Sequence, residues 1–350
     1  MNASLQPGTD GSRKFAVLLL AHGTPEAFEE IPEYLKNVVG GRAIPQRLVE
    51  EIQHRYGLIG KSPLTEWTFR QADLLHKKIQ APVYVGMRNW RPYIADTIRD
   101  IRANGITDVV AICLAPQNSR TSVGLYRRAV FTVAESSLRI HFVDAWGSHP
   151  LLIEAFADRL RPIWKLACET VGAKVPVLFT AHSVPLHTVQ QPETAPSESE
   201  LRSPVHSGDP VRPERSYAPA GPDPYAGECR QTALLVAQRL DLAPQNWTFA
   251  FQSQGASGGQ WIGPTVEETL QSLRRQGHQG IVLHPIGFLC DHVEILYDID
   301  IAFQQQAKKL DLKLFRPESL NASPLLIDAL ADISRRGMAH LGSTPASAQL

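Results

Sequence analysis

Along the chain, short unbroken apolar blocks alternate with longer stretches whose apolar residues recur every three to four positions. Residues 15–21 (FAVLLLA) are such a block, the pattern of a strand buried on both faces. It ends in Ala21-His22-Gly23-Thr24-Pro25, and a helix is expected after it. Stretches 44–56 and 67–79 read as amphipathic helices, with the loop GLIGKSP at 57–63 between them. Residues 83–87 read as a strand, and 93–103 as a helix closed by Asn104-Gly105, a helix-stop pair. Strand 109–114, helix 123–135, strand 140–143 and helix 151–168 follow. Strands alternating with helices imply an α/β fold with a largely parallel sheet.

The pattern then starts again. Residues 176–185 (PVLFTAHSVP) match 16–25 (AVLLLAHGTP): a strand ending in Ala-His, two residues, then Pro. Trp90, Pro92, Thr97 and Gly105 are followed in order by Trp261, Pro264, Thr269 and Gly277, with one residue slipped. Strand 109–114 corresponds to the apolar run at 281–283, and PLLIEAFAD at 150–158 to PLLIDALAD at 324–332. The expectation is two similar Rossmann-like lobes, parallel sheets flanked by helices, related by a pseudo-two-fold. By sequence the lobes are 14–168 and 169–340. Residues 1–13 form a polar leader and 341–350 a polar tail. Residues 190–224 are rich in Pro, Ser and Glu with few large apolar residues, and read as a long mobile insertion in the second lobe.

Composition narrows the function classes. The chain has 350 residues, 43% of them hydrophobic and 20% charged, as in ordinary globular proteins. Lys plus Arg and Asp plus Glu are equal at 35 each, so nucleic acid is not expected as a partner. Cys113, Cys168, Cys229 and Cys290 are scattered with no CxxC pair, which implies neither a structural zinc site nor a disulfide framework. A reducing, cytoplasmic setting is the simplest reading. No apolar run approaches the roughly 20 residues of a membrane span, which leaves peripheral membrane contact open.

Candidate chemistry sits where the strands end. Ligands of open parallel sheets bind beyond the carboxyl ends of the strands, and His22 and His182 both stand there. A neutral imidazole accepts a proton near neutral pH or ligates a divalent metal. For one such histidine, a satisfied strand-end residue would be the plainer reading. Its repetition in both halves argues for a site. The stretch 284–303 (HPIGFLCDHVEILYDIDIAF) adds carboxylates. On a helix Asp291, Glu294 and Asp298 fall at i, i+3 and i+7, so they share a stripe whose repulsion a proton or a cation must offset. The stripe is an expected metal entry path; a solvated acidic face is the plainer alternative.

Five segments together resemble the ferrochelatase family: LFTAHSVP at 178–185, QSQGASGGQWIGP at 252–264, PIGFLCDHVEILYDIDI at 285–301, RYGLIGKSPL at 55–64 and LAPQNS at 114–119. The resemblance runs in order from about residue 15 to about residue 340. It implies a two-lobed chelatase-like fold and the insertion of Fe(II) into a free-base porphyrin in late heme biosynthesis. On it, His182 matches the catalytic histidine and Glu294 its partner carboxylate. Arg55, Tyr56, Ser62 and Tyr126 match positions lining the porphyrin pocket, and His22 contacts the macrocycle or ligates the metal from the opposite face. Metal handling falls to His182, Glu294 and Asp298. No cofactor beyond the iron substrate is implied, and with no cysteine after Cys290 no iron–sulfur cluster is expected.

The departures matter too. His22 stands where relatives carry Tyr or Met, Ala302 where some have Glu, and Val39 where a basic residue is thought to meet a propionate. The loss at Val39 leans toward protoporphyrin IX, with two propionates, over coproporphyrin III, with four. A chelatase for another tetrapyrrole or metal, and a porphyrin or heme carrier without turnover, are the alternative readings. Oligomeric state is not legible.

Overall fold

Buried apolar runs need partners on both faces, and the fold supplies them with helices on either side of two sheets. The computed structural model describes residues 13–134, 138–190, 223–254 and 260–343. The expected leader, almost all of the insertion 190–224 and the end of the tail lie outside the described residues. The first sheet holds β1 (Phe15–Ala21), β2 (Val83–Met87), β3 (Asp108–Cys113) and β4 (Arg139–Val143), in the order β2-β1-β3-β4. The second holds β5 (Val177–His182), β6 (Trp247–Gln252), β7 (Gly280–Pro285) and β8 (Lys313–Phe315), in the order β6-β5-β7-β8. All pairings are parallel. The strand order is therefore the same in both sheets, as the internal repeat requires. The repeat extends to single hydrogen bonds: Met87 N–H donates to Pro92 O at 2.7 Å and Phe251 N–H to Pro264 O at 2.8 Å.

The helices are α1 (Ile31–Val38), α2 (Gln46–Ile59), α3 (Leu64–Ile79), α4 (Ile94–Ala103), α5 (Val123–Val133) and α6 (Pro150–Val171). Then follow α7 (Leu186–Gln190), α8 (Tyr225–Arg239), α9 (Val266–Arg275), a π-helix (Glu294–Phe303), α10 (Gln304–Lys309) and α11 (Pro324–Ser343). Alternate residues of β1 serve opposite layers. Ala16, Leu18 and Leu20 pack with Ile94 and Ile98 of α4 and Tyr126 of α5, while Val17 and Leu19 pack with Leu75 of α3. Full burial of each such leucine contributes about 1.5–3 kcal/mol.

The last helix of each repeat crosses over. α6 packs on β7, β8 and α8 of the second half, and α11 returns to β3, β4 and α3 of the first; the two helices also pack on each other. The expected division after residue 168 falls inside α6, which runs to Val171, and in space each half's closing helix covers the other half's sheet. The return of α11 depends on Gly337, where an added Cβ would meet Val110 Cγ1 at 2.6 Å. This exchange, with one apolar cluster running through both halves, holds the carboxyl ends of β1 and β5 in one structure.

Candidate active site

β5 delivers His182 to its carboxyl end, beside Gln252 of β6. Tyr225, at the start of α8, donates its hydroxyl to the His182 carbonyl at 2.9 Å and fixes the strand end. The ring's Nδ1–H donates to the Ser183 carbonyl. Nε2 therefore faces outward and lies 3.3 Å from Glu294 Oε1. The other oxygen, Oε2, lies 3.4 Å from His292 Nε2, and His292 anchors its own Nδ1–H on the Cys290 carbonyl at 3.1 Å. One carboxylate thus bridges two imidazoles that share an orientation. Phe288 lies against both rings, with centroids 6.2 Å from His182 and 4.7 Å from His292.

The electrostatics follow from that bridge. Burial pushes His182 toward its neutral form, but the charge and hydrogen bond of Glu294, the Ser183 carbonyl and Asp298 outweigh it, raising the pKa from 6.5 to about 8. Burial likewise opposes the Glu294 charge, and the two histidines overcome it, holding the carboxylate well below its ordinary range. The pair titrates as a unit and carries one proton near neutral pH. It can give that proton up or take another, and its lone pairs can meet a divalent ion.

His22 ends β1 as His182 ends β5. Gly23 follows it with φ of +88°, and a Cβ there would meet Trp90 Cβ at 2.8 Å, so the turn closes only on glycine. His22 Nδ1 lies 3.2 Å from the Gly23 carbonyl and 3.1 Å from the Tyr34 hydroxyl, while Nε2 lies 2.9 Å from Asn89 Nδ2. Burial, then the positive Arg88, lower its pKa to about 4 against the opposing charge of Glu294, which reaches it from the second lobe. Val293, next to Glu294, packs on the cluster that holds Tyr34 and Trp90, which brings the two strand ends into one region.

The expected three-carboxylate stripe does not form. Asp291 precedes the helix and turns away, accepting from Arg316 Nη1 at 3.2 Å, Ser319 Oγ at 2.7 Å and Asn321 Nδ2 at 2.9 Å. Protein cations and donors neutralise it, so neither a metal nor a proton is needed there. The segment from Glu294 is a π-helix, a rare winding frequent at functional sites. Asp298, four residues on, meets Ser253 Oγ through Oδ2 and Arg55 Nη1 through Oδ1 at 3.3 Å. Burial raises its pKa, against the pull of Ser253 and Arg55. Among the described residues, no three His, Cys, Asp or Glu side chains group as a preformed metal nest.

The other expected pocket residues take separate places. Arg55, on α2, spans from Glu51 (2.6 Å) to Asp298 and lies over the Tyr297 ring at 4.9 Å, so it crosses from the first lobe to the second. Tyr56 hydrogen-bonds Thr24 at 2.7 Å, beside the His22 turn, and burial pushes its hydroxyl up to about 12. Tyr126 lies under the Arg88 guanidinium, whose carbon is 5.5 Å from the ring centre. Ser62 is fully buried, and its hydroxyl meets no protein partner. Sequence reasoning missed His292, Asn89, Arg88, Tyr34 and Phe288. His292 precedes Glu294 by two residues, a spacing that points side chains apart on a helix. Only the break before the π-helix lets both face one way.

The family model described as Ferrochelatase matches residues 14–338. A protein of Acidobacterium capsulatum named Ferrochelatase is 54% identical, covering 95% of this chain and 97% of its own. One of Geobacillus sp. named Coproporphyrin III ferrochelatase is 28% identical, covering 92% of this chain and 97% of its own. Among solved structures, the sirohydrochlorin chelatase SirB of Bacillus subtilis subspecies spizizenii, in complex with cobalt, is similar with a TM-score of 0.52 at 12% identity. That likeness covers 94% of this chain and 98% of the other, and shows the two-lobed fold.

Proposed function

The chain belongs to the ferrochelatase family, and from that premise we propose that it inserts Fe(II) into protoporphyrin IX in the cleft between His22 and His182. The observation that carries the reading is the Glu294 carboxylate bridging the Nε2 atoms of His182 and His292 at the end of β5. A free-base porphyrin must lose two N–H protons as the metal enters. Once its resident proton has passed to solvent, the coupled pair of His182 and Glu294 receives them. The same pair meets the incoming iron, and Asp298, one turn further along the π-helix, hands it in. Arg55, Tyr56, Tyr126 and His22 contact the ring or its substituents, while Ser62, with no exposed surface, reaches it only if the loop before α3 shifts. No electron changes hands, so the reaction needs no resident cofactor and no iron–sulfur cluster.

Protoporphyrin IX is favoured over coproporphyrin III because Val39, at the C-cap of α1, brings no cation to a carboxylate, although Lys36 lies in the last turn of that helix and Arg42 donates to the Val39 carbonyl at 2.9 Å. One cation fewer suits the substrate with two carboxylates better than the one with four. We place the enzyme in the cytoplasm, where four free cysteines remain reduced. No helix among the described residues is long and apolar enough to cross a membrane.

The test is anaerobic Fe(II) insertion by the purified protein, with the two porphyrins supplied separately and the visible spectrum followed. Rapid turnover of protoporphyrin IX alone is expected. Preference for coproporphyrin III would reverse the substrate assignment, and tight binding of both without insertion would make the protein a carrier.

A further inference from the structure

His22 stands at the carboxyl end of a central strand, where a metal ligand would stand, yet its reactive lone pair is already engaged. The Gly23 carbonyl, which can only accept, lies 3.2 Å from Nδ1; with the ring proton assigned there, the Tyr34 hydroxyl at 3.1 Å accepts from the same nitrogen. Nε2 is then the lone-pair nitrogen, and Asn89 Nδ2 donates to it at 2.9 Å. Asn89 is held in place: it is 4% exposed and its backbone N–H donates to the His22 carbonyl at 3.0 Å. Its own carbonyl accepts from Asn37 Nδ2 at 3.2 Å. Tyr34 packs edge-on against the imidazole, with centroids 6.1 Å apart.

We propose that Asn89 is a positioning residue that keeps His22 from ligating the iron of the metallated porphyrin, so that the product leaves. The proposal rests on the reading of this cleft as a porphyrin site. Iron held by four ring nitrogens takes an imidazole as an axial ligand. A free Nε2 on His22 would form an Fe–N bond with its lone pair, with no electron transferred and no proton released, and would retain the product. The Asn89 amide competes for that lone pair. At His182 the same nitrogen faces a carboxylate, which suits proton exchange instead.

The test uses Asn89→Leu, close to isosteric and without the donor. Wild type and variant are compared in anaerobic Fe(II) insertion and in titration with ferric protoheme, read by absorbance and electron paramagnetic resonance. Wild type is expected to turn over repeatedly without an imidazole-ligated heme signal. The variant is expected to complete a first turnover and then slow about tenfold, the scale of one competing hydrogen bond, with that signal present. Asn89→Leu combined with His22→Leu is expected to lose the signal. Should Asn89→Leu fail to fold, Asn89→Ala, which only removes atoms, carries the same expectation. The signal in wild type, its absence in the single variant, or its survival in the double variant would overturn the proposal. Insertion by wild type with normal release by the variant removes this inference alone. Neither insertion nor heme binding by wild type removes the reading beneath it.

Discussion

The carboxyl ends of β1 and β5 carry histidines in matching positions, each with Nδ1 against the carbonyl of the following residue, Gly23 in one lobe and Ser183 in the other. They part at Nε2. In the second lobe it meets a carboxylate, and the ring's pKa rises to about 8. In the first it meets the Asn89 amide in a buried setting near Arg88, and the pKa falls to about 4. The cause lies outside the strands. β7 leads into a segment bearing His292 and Glu294, whereas β3 leads into Leu114-Ala115-Pro116-Gln117-Asn118-Ser119, which has no acid. The repeated backbone fixes where an imidazole stands, and the unrepeated neighbours fix what it can do. On the proposed function, one lobe supplies a proton acceptor and the other a neutral wall.

The hardest test of that division is to remove each histidine in turn. His182→Ala is expected to lower the insertion rate by roughly 10²–10⁴-fold, the range for a lost acid–base group. Porphyrin binding, followed by fluorescence quenching, should stay largely intact. His22→Leu is expected to cost about tenfold or less, the loss of a contact rather than of a proton acceptor. Equal losses would mean that both lobes do the chemistry.

A finer test is the pH profile. On the proposed function, the His182–Glu294 pair must release its resident proton before it accepts one from a pyrrole, so the wild-type rate should climb as pH passes about 8. Glu294→Gln removes the largest influence raising His182 and should move the climb to lower pH while reducing the plateau. Stability should show opposite signs at the two histidines. The pKa of His182 is raised from 6.5 to about 8, so its contribution is complete below 6.5 and is lost as pH rises through about 8. The pKa of His22 is lowered from 6.5 to about 4, so its contribution is complete above 6.5 and is lost as pH falls through about 4. Melting temperatures of His182→Ala and His22→Leu across pH should each flatten one side of the wild-type curve. Flattening on the same side would remove the contrast.

The two lobes also differ in what their sequences disclose. The strands, the repeat and both strand-end histidines were legible because buried runs and a repeated Ala-His are local patterns. β8 was not: at Lys313–Phe315 it is too short to display alternation. Nor was the exchange of α6 and α11, since PLLIEAFAD and PLLIDALAD each show an apolar face without saying which sheet it covers. At the site, Glu294 was found beside His182, but Asn89 was not foreseen beside His22. An amide after a strand carries no charge or period, and only the pairing of β1 with β2 brings it to that ring. The acidic stripe failed for a related reason. Helical spacing was assumed through Asp291, but the π-helix begins at Glu294.

That failure sets the smallest of the tests, a comparison within the second lobe. Asp291 and Asp298 are both expected metal-path carboxylates by spacing, yet only Asp298 belongs with the His182 pair, whose pKa its charge helps to raise. Asp291 is bound by Arg316, Ser319 and Asn321, and Arg316 also grips Asp300 at 2.6 and 2.7 Å. Its carboxylate ties the π-helix entrance to the segment before α11. Asp291→Asn should therefore cost about 1–3 kcal/mol in urea unfolding, as a buried charge-assisted hydrogen bond does, and leave the KM for Fe(II) unchanged. Asp298→Asn keeps the shape and the Ser253 contact but removes the charge that draws a cation toward the pair. It should raise the KM for Fe(II) by about twofold to fivefold, the value of one partly screened charge, with little change in kcat. If Asp291→Asn raised the KM and Asp298→Asn did not, iron would enter from the Arg316 side, and the acidic arm of the second lobe would have to be redrawn.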